Sequence, residues 1–274
     1  MSIPVVSADW LALRAAADDA ARSPALAARL AGLLGAGRLV VHDLGSGDGA
    51  MVRWLAPRLG GPQTWMLHDA DAGILARADL HSTADGAGRP ITATARIGTL
   101  ADLPRDAFAG ADAVTASALL DVLTLSEVER VVAACVAASV PALFSLTVTG
   151  SVRLQPADAA DRVFEAAFDD HQRRPARGRA TSEPLLGPDA VPVVAALFAA
   201  AGWNVLVEPS PWLLAADDAA LIGEWLDGWI DAAVEQQPEL AEAAAQVRLR
   251  RRAQAAAGLL NVTVSHEDLL AWPG

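Results

Sequence analysis

One segment of the chain has residue types and spacing that could support chemistry. Val40–Gly49 reads Val-Val-His-Asp-Leu-Gly-Ser-Gly-Asp-Gly, an apolar run that leads into an acid and three alternating glycines. Glycines permit a tight turn and let a ligand approach the backbone closely. A helix predicted from Ala50 would present free backbone amides to the same ligand. The segment therefore predicts a loop that binds a small cofactor.

Two cofactor classes fit the glycine pattern alone. Gly45-x-Gly47-x-x-Ala50 matches the dinucleotide-binding pattern G-x-G-x-x-A, so a nicotinamide cofactor is one alternative. Asp43 favours another class, because its carboxylate would repel a pyrophosphate but attract a ligand that carries an ammonium group. The next apolar run leads to Asp69, where a carboxylate can accept hydrogen bonds from ribose hydroxyls in either class.

The order of these and later motifs resembles that of the class I S-adenosylmethionine-dependent methyltransferases. Asp43–Gly49 matches their first motif, acidic-x-G-x-G-x-G, and Asp69 matches the acid after their second strand. Gly98–Pro104 looks like their adenine loop, G-D-x-x-x-L-P. Thr99 stands where Asp is common there, so its hydroxyl or a backbone group would contact the adenine amino group. Asp112–Ser117 looks like their fourth strand. The resemblance covers residues 35–150 well, the last two strands loosely and the helical additions not at all.

The resemblance implies a methyltransferase with S-adenosylmethionine as its cofactor. The residues at matching motif positions would bind the cofactor: Asp43, Gly45, Ser46, Gly47, Gly49, Asp69, Ala70, Thr99, Leu100 and Ser117. Arg14, one helical turn after Trp10, could pair with the methionine carboxylate. Ordinary core packing is the alternative for Trp10. No His, Asp or Glu cluster has metal-ligand spacing, so we predict no metal site.

Two residues are candidates for taking a proton from the methyl acceptor. The resemblance implies that Asp121 lies beside the methyl-transfer site, where it could act as a general base. An ordinary acid at a helix N-terminus is the alternative. His171 lies in the addition after the fifth strand, where methyltransferases of small molecules commonly build the acceptor pocket. The alternative for His171 is a solvated helix end.

The composition excludes several other chemistries. All 21 basic residues are Arg, and the chain has no Lys, no Tyr and one Cys. Without Lys there is no Schiff-base or P-loop chemistry, and one Cys excludes CxxC sites and fits a reducing compartment. The net charge of -12 argues against a nucleic-acid partner. We therefore expect a cytoplasmic methyltransferase of a small organic molecule. A nicotinamide-dependent oxidoreductase and a non-catalytic S-adenosylmethionine-binding subunit are the alternatives.

Short apolar runs alternate with helical stretches along the chain. This alternation predicts an α/β fold with a Rossmann-like, doubly wound, mixed seven-stranded sheet. The predicted strands are Leu39–Asp43, Trp65–His68, Ile91–Ile97, Asp112–Ala116, Ala142–Thr149, Trp203–Glu208 and Leu260–His266. The predicted helices between them are Ala50–Leu59, Ala72–Leu80, Ser126–Ala138 and Ala190–Ala200.

We expect a single methyltransferase domain over residues 1–274. It would comprise N-terminal helices (1–36), a cofactor-binding core (37–150) and helical additions on the acceptor side (151–188 and 211–258). The additions follow strand 5 and separate strands 6 and 7. Pro141 divides the uncharged stretch 131–150 into a helix and a strand, so we predict no membrane partner. The sequence leaves a homodimer open.

Overall fold

Two capped helices precede the sheet. The structure, a computed structural model, describes residues 7–175 and 182–274, so part of the loop predicted over 173–188 lies outside the described residues. The helices are α1 (Ala8–Ala21) and α2 (Pro24–Leu34). The Ser7 and Ser23 hydroxyls each accept a hydrogen bond, 3.1 Å long, from a backbone amide in the first turn. Such caps satisfy amides that have no partner within the helix.

Within the described residues the sheet has eight strands. They are β1 (Leu39–Leu44), β2 (Gln63–Asp69), β3 (Thr92–Ile97), β4 (Ala113–Ser117), β5 (Ala142–Gln155), β6 (Asn204–Pro209), β7 (Trp212–Leu214) and β8 (Asn261–Trp272). Their order is β3-β2-β1-β4-β5-β8-β6, and β7 also pairs with β8. Strands β1 to β5 pair in parallel, whereas β8 is antiparallel to β5, β6 and β7. The prediction of a sheet with both parallel and antiparallel strands is confirmed.

Helices cover both faces of this sheet, which makes the fold doubly wound. They are α3 (Ala50–Leu55), α4 (Ala72–Leu75), α5 (Leu125–Ala138), α6 (Asp161–Gln172), α7 (Ala190–Ala200), α8 (Ala219–Gln236) and α9 (Ala241–Ala256). Successive residues of a strand point to opposite faces. Accordingly, Leu143 packs in the apolar cluster with α2 and α3, and Phe144 packs in the cluster with α5 and α7. Burial on both faces explains why β4 and the first half of β5 are mostly apolar, whereas β3, at the edge of the sheet, is exposed along its length.

A third apolar cluster forms where β5 and β8 extend beyond the other strands. Val152 and Val264 of this extension pack against α6, α8 and α9, together with Trp10 of α1. The helical additions and α1 therefore stand next to the edge of the sheet where β1 and β4 end. In open α/β sheets, ligands bind at this carboxyl edge. None of the described helices is both long and apolar enough to cross a membrane.

The structure corrects several predicted boundaries. The sheet has eight described strands instead of seven, because β7 follows the turn after β6 and pairs with β8. The second addition therefore separates β7 and β8. The helix expected over Ala72–Leu80 ends at Leu75, and β5 continues to Gln155, past the expected core boundary at residue 150. The last strand also runs six residues beyond the predicted end at His266, to Trp272.

Candidate functional site

The glycine segment forms a turn between β1 and α3. Gly45, Gly47 and Gly49 have φ values of +59°, +55° and +84°, which is the left-handed region that favours glycine. A Cβ atom on Gly45 would also lie 2.8 Å from Leu119 Cδ1. The end of the Leu119 side chain therefore covers the loop at Gly45. A ligand can displace a flexible side chain more easily than it can displace backbone. The backbone conformation therefore favours glycine here, whereas the Leu119 tip could move aside for a Cβ atom.

Hydrogen bonds fix the loop to the neighbouring strand. The Ser46 amide donates to the His68 carbonyl at 3.0 Å, and the Ser46 hydroxyl donates to the Asp43 carbonyl at 2.7 Å. The Gly47 amide donates to Asp69 Oδ2 at 2.9 Å. The ends of β1 and β2 are therefore held together by the predicted cofactor loop itself.

Asp43 is the most unusual group at this site. Its side chain is fully buried, Oδ1 accepts a 2.6 Å hydrogen bond from the Thr115 hydroxyl, and Oδ2 has no hydrogen-bond partner among the described residues. Burial raises the pKa of the Asp43 carboxyl to about 7, although the Thr115 hydrogen bond and the Arg22 charge act in the opposite direction. A buried polar atom without a partner is costly, so this oxygen is suited to accept a hydrogen bond from a donor supplied from outside the chain.

Asp69 is half-buried and well oriented. Oδ1 accepts a hydrogen bond from the Asp71 amide at 2.9 Å, and Oδ2 accepts the bond from Gly47. Each carboxylate oxygen can accept more than one hydrogen bond, so both retain capacity for ribose hydroxyls. The neighbouring Ala70 is exposed at the same edge.

The segment that resembles an adenine loop lies next to Asp69. The Gly98 amide donates to the Asp69 carbonyl at 3.0 Å, which ties this loop to the end of β2. The Thr99 hydroxyl donates to Asp102 Oδ2 at 2.8 Å, and Leu100 packs partly buried against the apolar cluster that contains α5. Because the Thr99 hydroxyl donates its proton to Asp102, its oxygen keeps lone pairs that can accept a hydrogen bond from an adenine amino group, as can the backbone carbonyls of the loop.

Arg14 is held by other side chains of the protein. Its Nε and a terminal nitrogen donate to the two oxygens of Asp18 at 2.9 and 3.1 Å, and its guanidinium lies 4.9 Å from the centre of the Trp212 ring. The charge of Arg14 nevertheless acts on Asp121, whose pKa is raised by burial and lowered by Arg14. Arg14 thus lies near the site, but its pairing with a methionine carboxylate stays a prediction.

Sequence reasoning missed Arg22, which ends α1. Its side chain is 1% exposed, and its terminal nitrogens donate to Asp19 Oδ1 at 2.6 Å and to the Ser117 hydroxyl at 3.1 Å. Ser117 belongs to the predicted cofactor set. The available signal was an Arg directly before the Ser23-Pro24 cap, which places a long cation at the junction of two helices.

The two catalytic candidates lie in different environments. Asp121 lies in a short turn after β4; its Oδ1 is buried without a described partner, and burial raises its pKa to about 6. His171 is 29% exposed near the end of α6, where its Nε2 lies 3.3 Å from Glu235 Oε2. Asp121 therefore has the features of a proton acceptor, whereas His171 forms a partly exposed pair with a glutamate of α8.

The described cavities do not coincide with this loop. A trough of about 550 Å³ lies on the β5–β8 extension, lined on β5 by Thr149, Ser151, Arg153 and Gln155. These residues alternate with Val152 and Leu154, which face the third apolar cluster. The trough is therefore on the opposite face of the extension. Among residues 7–175 and 182–274, no three His, Cys, Asp or Glu side chains are grouped as metal ligands.

Comparisons with known proteins return structures only. No protein-family model and no curated protein matches the chain. It is similar to an S-adenosylmethionine-dependent methyltransferase from Geobacter sulfurreducens in complex with S-adenosyl-L-homocysteine, with 17% identity over 100% of this chain and 99% of that chain and a TM-score of 0.46. A corresponding complex from Thiobacillus denitrificans has 17% identity, 98% and 99% coverage and a TM-score of 0.44. The cyclopropane synthase MmaA2 from Mycobacterium tuberculosis has 14% identity, 90% and 81% coverage and a TM-score of 0.46.

At these identities and TM-scores the likenesses carry no argument about function.

Proposed function

We propose that this chain binds S-adenosylmethionine and transfers its methyl group to a small organic acceptor in the cytoplasm. The observation that carries the proposal is the buried carboxyl of Asp43 beside a three-glycine loop; the Oδ2 atom of this carboxyl has no hydrogen-bond partner among the described residues. A ligand with an ammonium group would satisfy this oxygen. A dinucleotide would instead bring its pyrophosphate to this turn, where Asp43 would repel it.

The residues at the site fit the parts of this cofactor. Asp69 would accept the ribose hydroxyls, and the backbone of Gly98–Pro104, tied to the end of β2, would border the adenine. The glycine turn would let the ligand lie close to the backbone of β1. When bound, S-adenosylmethionine supplies an electrophilic methyl group on a sulfonium.

The remaining chemistry belongs to the chain. In-line displacement gains much of its acceleration from positioning, and α1 with the helical additions next to the carboxyl edge would supply that positioning. For an acceptor that must lose a proton, Asp121 is the proposed general base. Its pKa of about 6 leaves it ionised near neutral pH, yet basic enough to accept the proton.

The acceptor class rests on two features. The net charge of -12 disfavours nucleic acid, and the additions are large enough to enclose a small molecule. The proposed reaction uses no metal cofactor, because methyl transfer from a sulfonium requires none. A homodimer stays an open prediction.

The test is transfer of label from methyl-labelled S-adenosylmethionine into an extract of small metabolites. Label in a small product supports the proposal. Binding of S-adenosylhomocysteine without any transfer would instead indicate the non-catalytic subunit. Asp121→Asn should slow transfer about 100-fold or more without changing S-adenosylhomocysteine affinity. It should also remove a rise in rate as pH passes about 6, and an unchanged pH profile would exclude Asp121 as the base.

A further inference from the structure

Two histidines on neighbouring strands face each other just before the proposed cofactor acids. His42 of β1 and His68 of β2 hold their Nδ1 and Nε2 atoms 3.0 Å apart. The two rings are stacked, with their centroids 5.0 Å apart and their planes inclined by 28°. Both side chains are half-buried. Two ring nitrogens therefore converge on one point, in side chains that solvent still reaches.

The strand register fixes this arrangement. Leu44 of β1 pairs with His68, so His42, two residues before Leu44, lies on the same face of the sheet as His68. Asp43 follows His42 and therefore points to the opposite face. The Phe108 ring packs at 85° against His42, with the two centroids 5.3 Å apart. The pair is thus held by backbone pairing and packing, on the other face of the sheet from the Asp43 carboxyl.

The distance between the two nitrogens matches two ligands of one metal ion. For metal–nitrogen bonds of about 2.0–2.1 Å, nitrogens that are 3.0 Å apart subtend an angle of about 95° at the metal. Neighbouring ligands of a square-planar or octahedral ion meet at about 90°, whereas those of tetrahedral Zn²⁺ meet at about 109°. The pair therefore suits Ni²⁺ or Cu²⁺ better than Zn²⁺.

The electrostatic surroundings keep both imidazoles in the form that binds metal. Burial lowers the pKa of His42 to about 4, and the charges of His68 and Arg96 act in the same direction. Burial and the charge of Arg96 also lower the pKa of His68. Both rings are therefore neutral near neutral pH, as a metal ligand must be. Arg96 pairs with His68 and would repel a cation, but its side chain is exposed, so solvent and salt screen its charge.

Without a metal, the facing nitrogens share one proton. One neutral ring donates its N–H and the other accepts, which gives the 3.0 Å hydrogen bond. A metal ion needs both facing lone pairs. The donating ring would therefore take its other tautomer, in which the proton lies on the far nitrogen, and no net proton would be released.

We propose that His42 and His68 form a bis-imidazole site for a divalent first-row transition-metal ion that prefers square-planar or octahedral geometry. His42 Nδ1 and His68 Nε2 would be the protein ligands, and water would supply the others. The sequence-based prediction of no metal site depended on spacing along the chain, whereas the register of β1 and β2 joins histidines 26 residues apart. The site is independent of the proposed methyl transfer.

The experiment is calorimetric titration of the untagged protein with Ni²⁺ and with Zn²⁺ near neutral pH. His42→Phe and His68→Phe each keep an aromatic ring but remove one ligand. The matched control is His81→Phe, because His81 is exposed and lies outside the strands and helices. Thermal melting with and without Ni²⁺ reports the folding of each variant and its stabilisation by the metal.

The wild-type protein should bind one Ni²⁺ with micromolar affinity and Zn²⁺ less tightly. Either ligand variant should bind Ni²⁺ about 100-fold more weakly or worse, because a second ligand held in place multiplies the affinity of the first. His81→Phe should stay within about twofold of wild type. Unchanged Ni²⁺ affinity in His42→Phe or His68→Phe, or Zn²⁺ binding as tight as that of Ni²⁺, would overturn the inference.

Diffraction from wild-type crystals grown with equimolar Ni²⁺ decides the matter even if neither ligand variant folds. An anomalous peak about 2.1 Å from both His42 Nδ1 and His68 Nε2 would support the inference. The absence of a peak between the two rings would overturn it. Failure of the protein to bind S-adenosylhomocysteine would instead contradict the proposed function and leave this site unaffected.

Discussion

Replacing Asp43 by Asn should stabilise the ligand-free protein at alkaline pH while weakening cofactor binding. Burial raises the pKa of Asp43 from the ordinary 3.8 to about 7, so the folded protein holds a proton that the unfolded chain releases near pH 4. At about 1.4 kcal/mol per pKa unit, ionising this carboxyl in the folded state costs about 4 kcal/mol above pH 7. The cost is absent below pH 4. Asn stays neutral at every pH and avoids it.

Urea denaturation of both proteins at pH 5 and pH 8 measures this effect. The advantage of Asp43→Asn in the free energy of unfolding should grow by about 3 kcal/mol between these values, because most of the interval between the two pKa values of Asp43 lies there. Asp121 and Asp169, whose pKa values burial raises to about 6, titrate in both proteins and cancel in the difference. An advantage that does not change with pH would refute the placement of Asp43 as a fully buried acid with a raised pKa.

Other substitutions test separate parts of the structure. Gly45→Ala should cost about 1–2 kcal/mol of stability by urea denaturation, because φ is +59° there; no loss would contradict the turn geometry. Arg251→Met should cost about 3 kcal/mol, since the 1% exposed guanidinium donates to both Asp161 oxygens at 2.7 Å; a neutral result would contradict that pair. His171→Ala should cost less than about 1 kcal/mol, because its pair with Glu235 is partly exposed. Lost methyl transfer with normal cofactor affinity would return His171 to the acceptor site.

The parts of the fold that were predictable are those set by local pattern. Strands β1 to β4 are short runs of apolar or small residues, and each lies within two residues of its predicted bounds. Strand β7 has three residues between Pro211 and Ala215, too few for a periodic signal. It exists because β8 runs far enough to pair with it. The predicted length of the helix after Asp71 was too great. Its start is visible in the sequence as the Asp71 cap, but no Gly or Pro marks its end at Leu75.

The candidate site divides in the same way. Asp43 and Asp69 were predictable, because strand ends and the glycine turn lie close together in the sequence. The burial of Asp43 and its unused oxygen depend on β4, which lies about seventy residues later and supplies Thr115. Arg22 could not be placed from sequence, since its contact with Ser117 spans 95 residues. Arg14 lies within α1 and Arg22 directly before the Ser23-Pro24 cap, but only the helix packing shows which of the two contacts Ser117.

The central claim is that the glycine loop and its buried acid bind S-adenosylmethionine and not a dinucleotide. Calorimetric titration of the wild-type protein with S-adenosylhomocysteine and, separately, with NADH tests it most directly. We predict saturable micromolar binding of S-adenosylhomocysteine and no heat from NADH. Micromolar binding of NADH without any response to S-adenosylhomocysteine would contradict the claim.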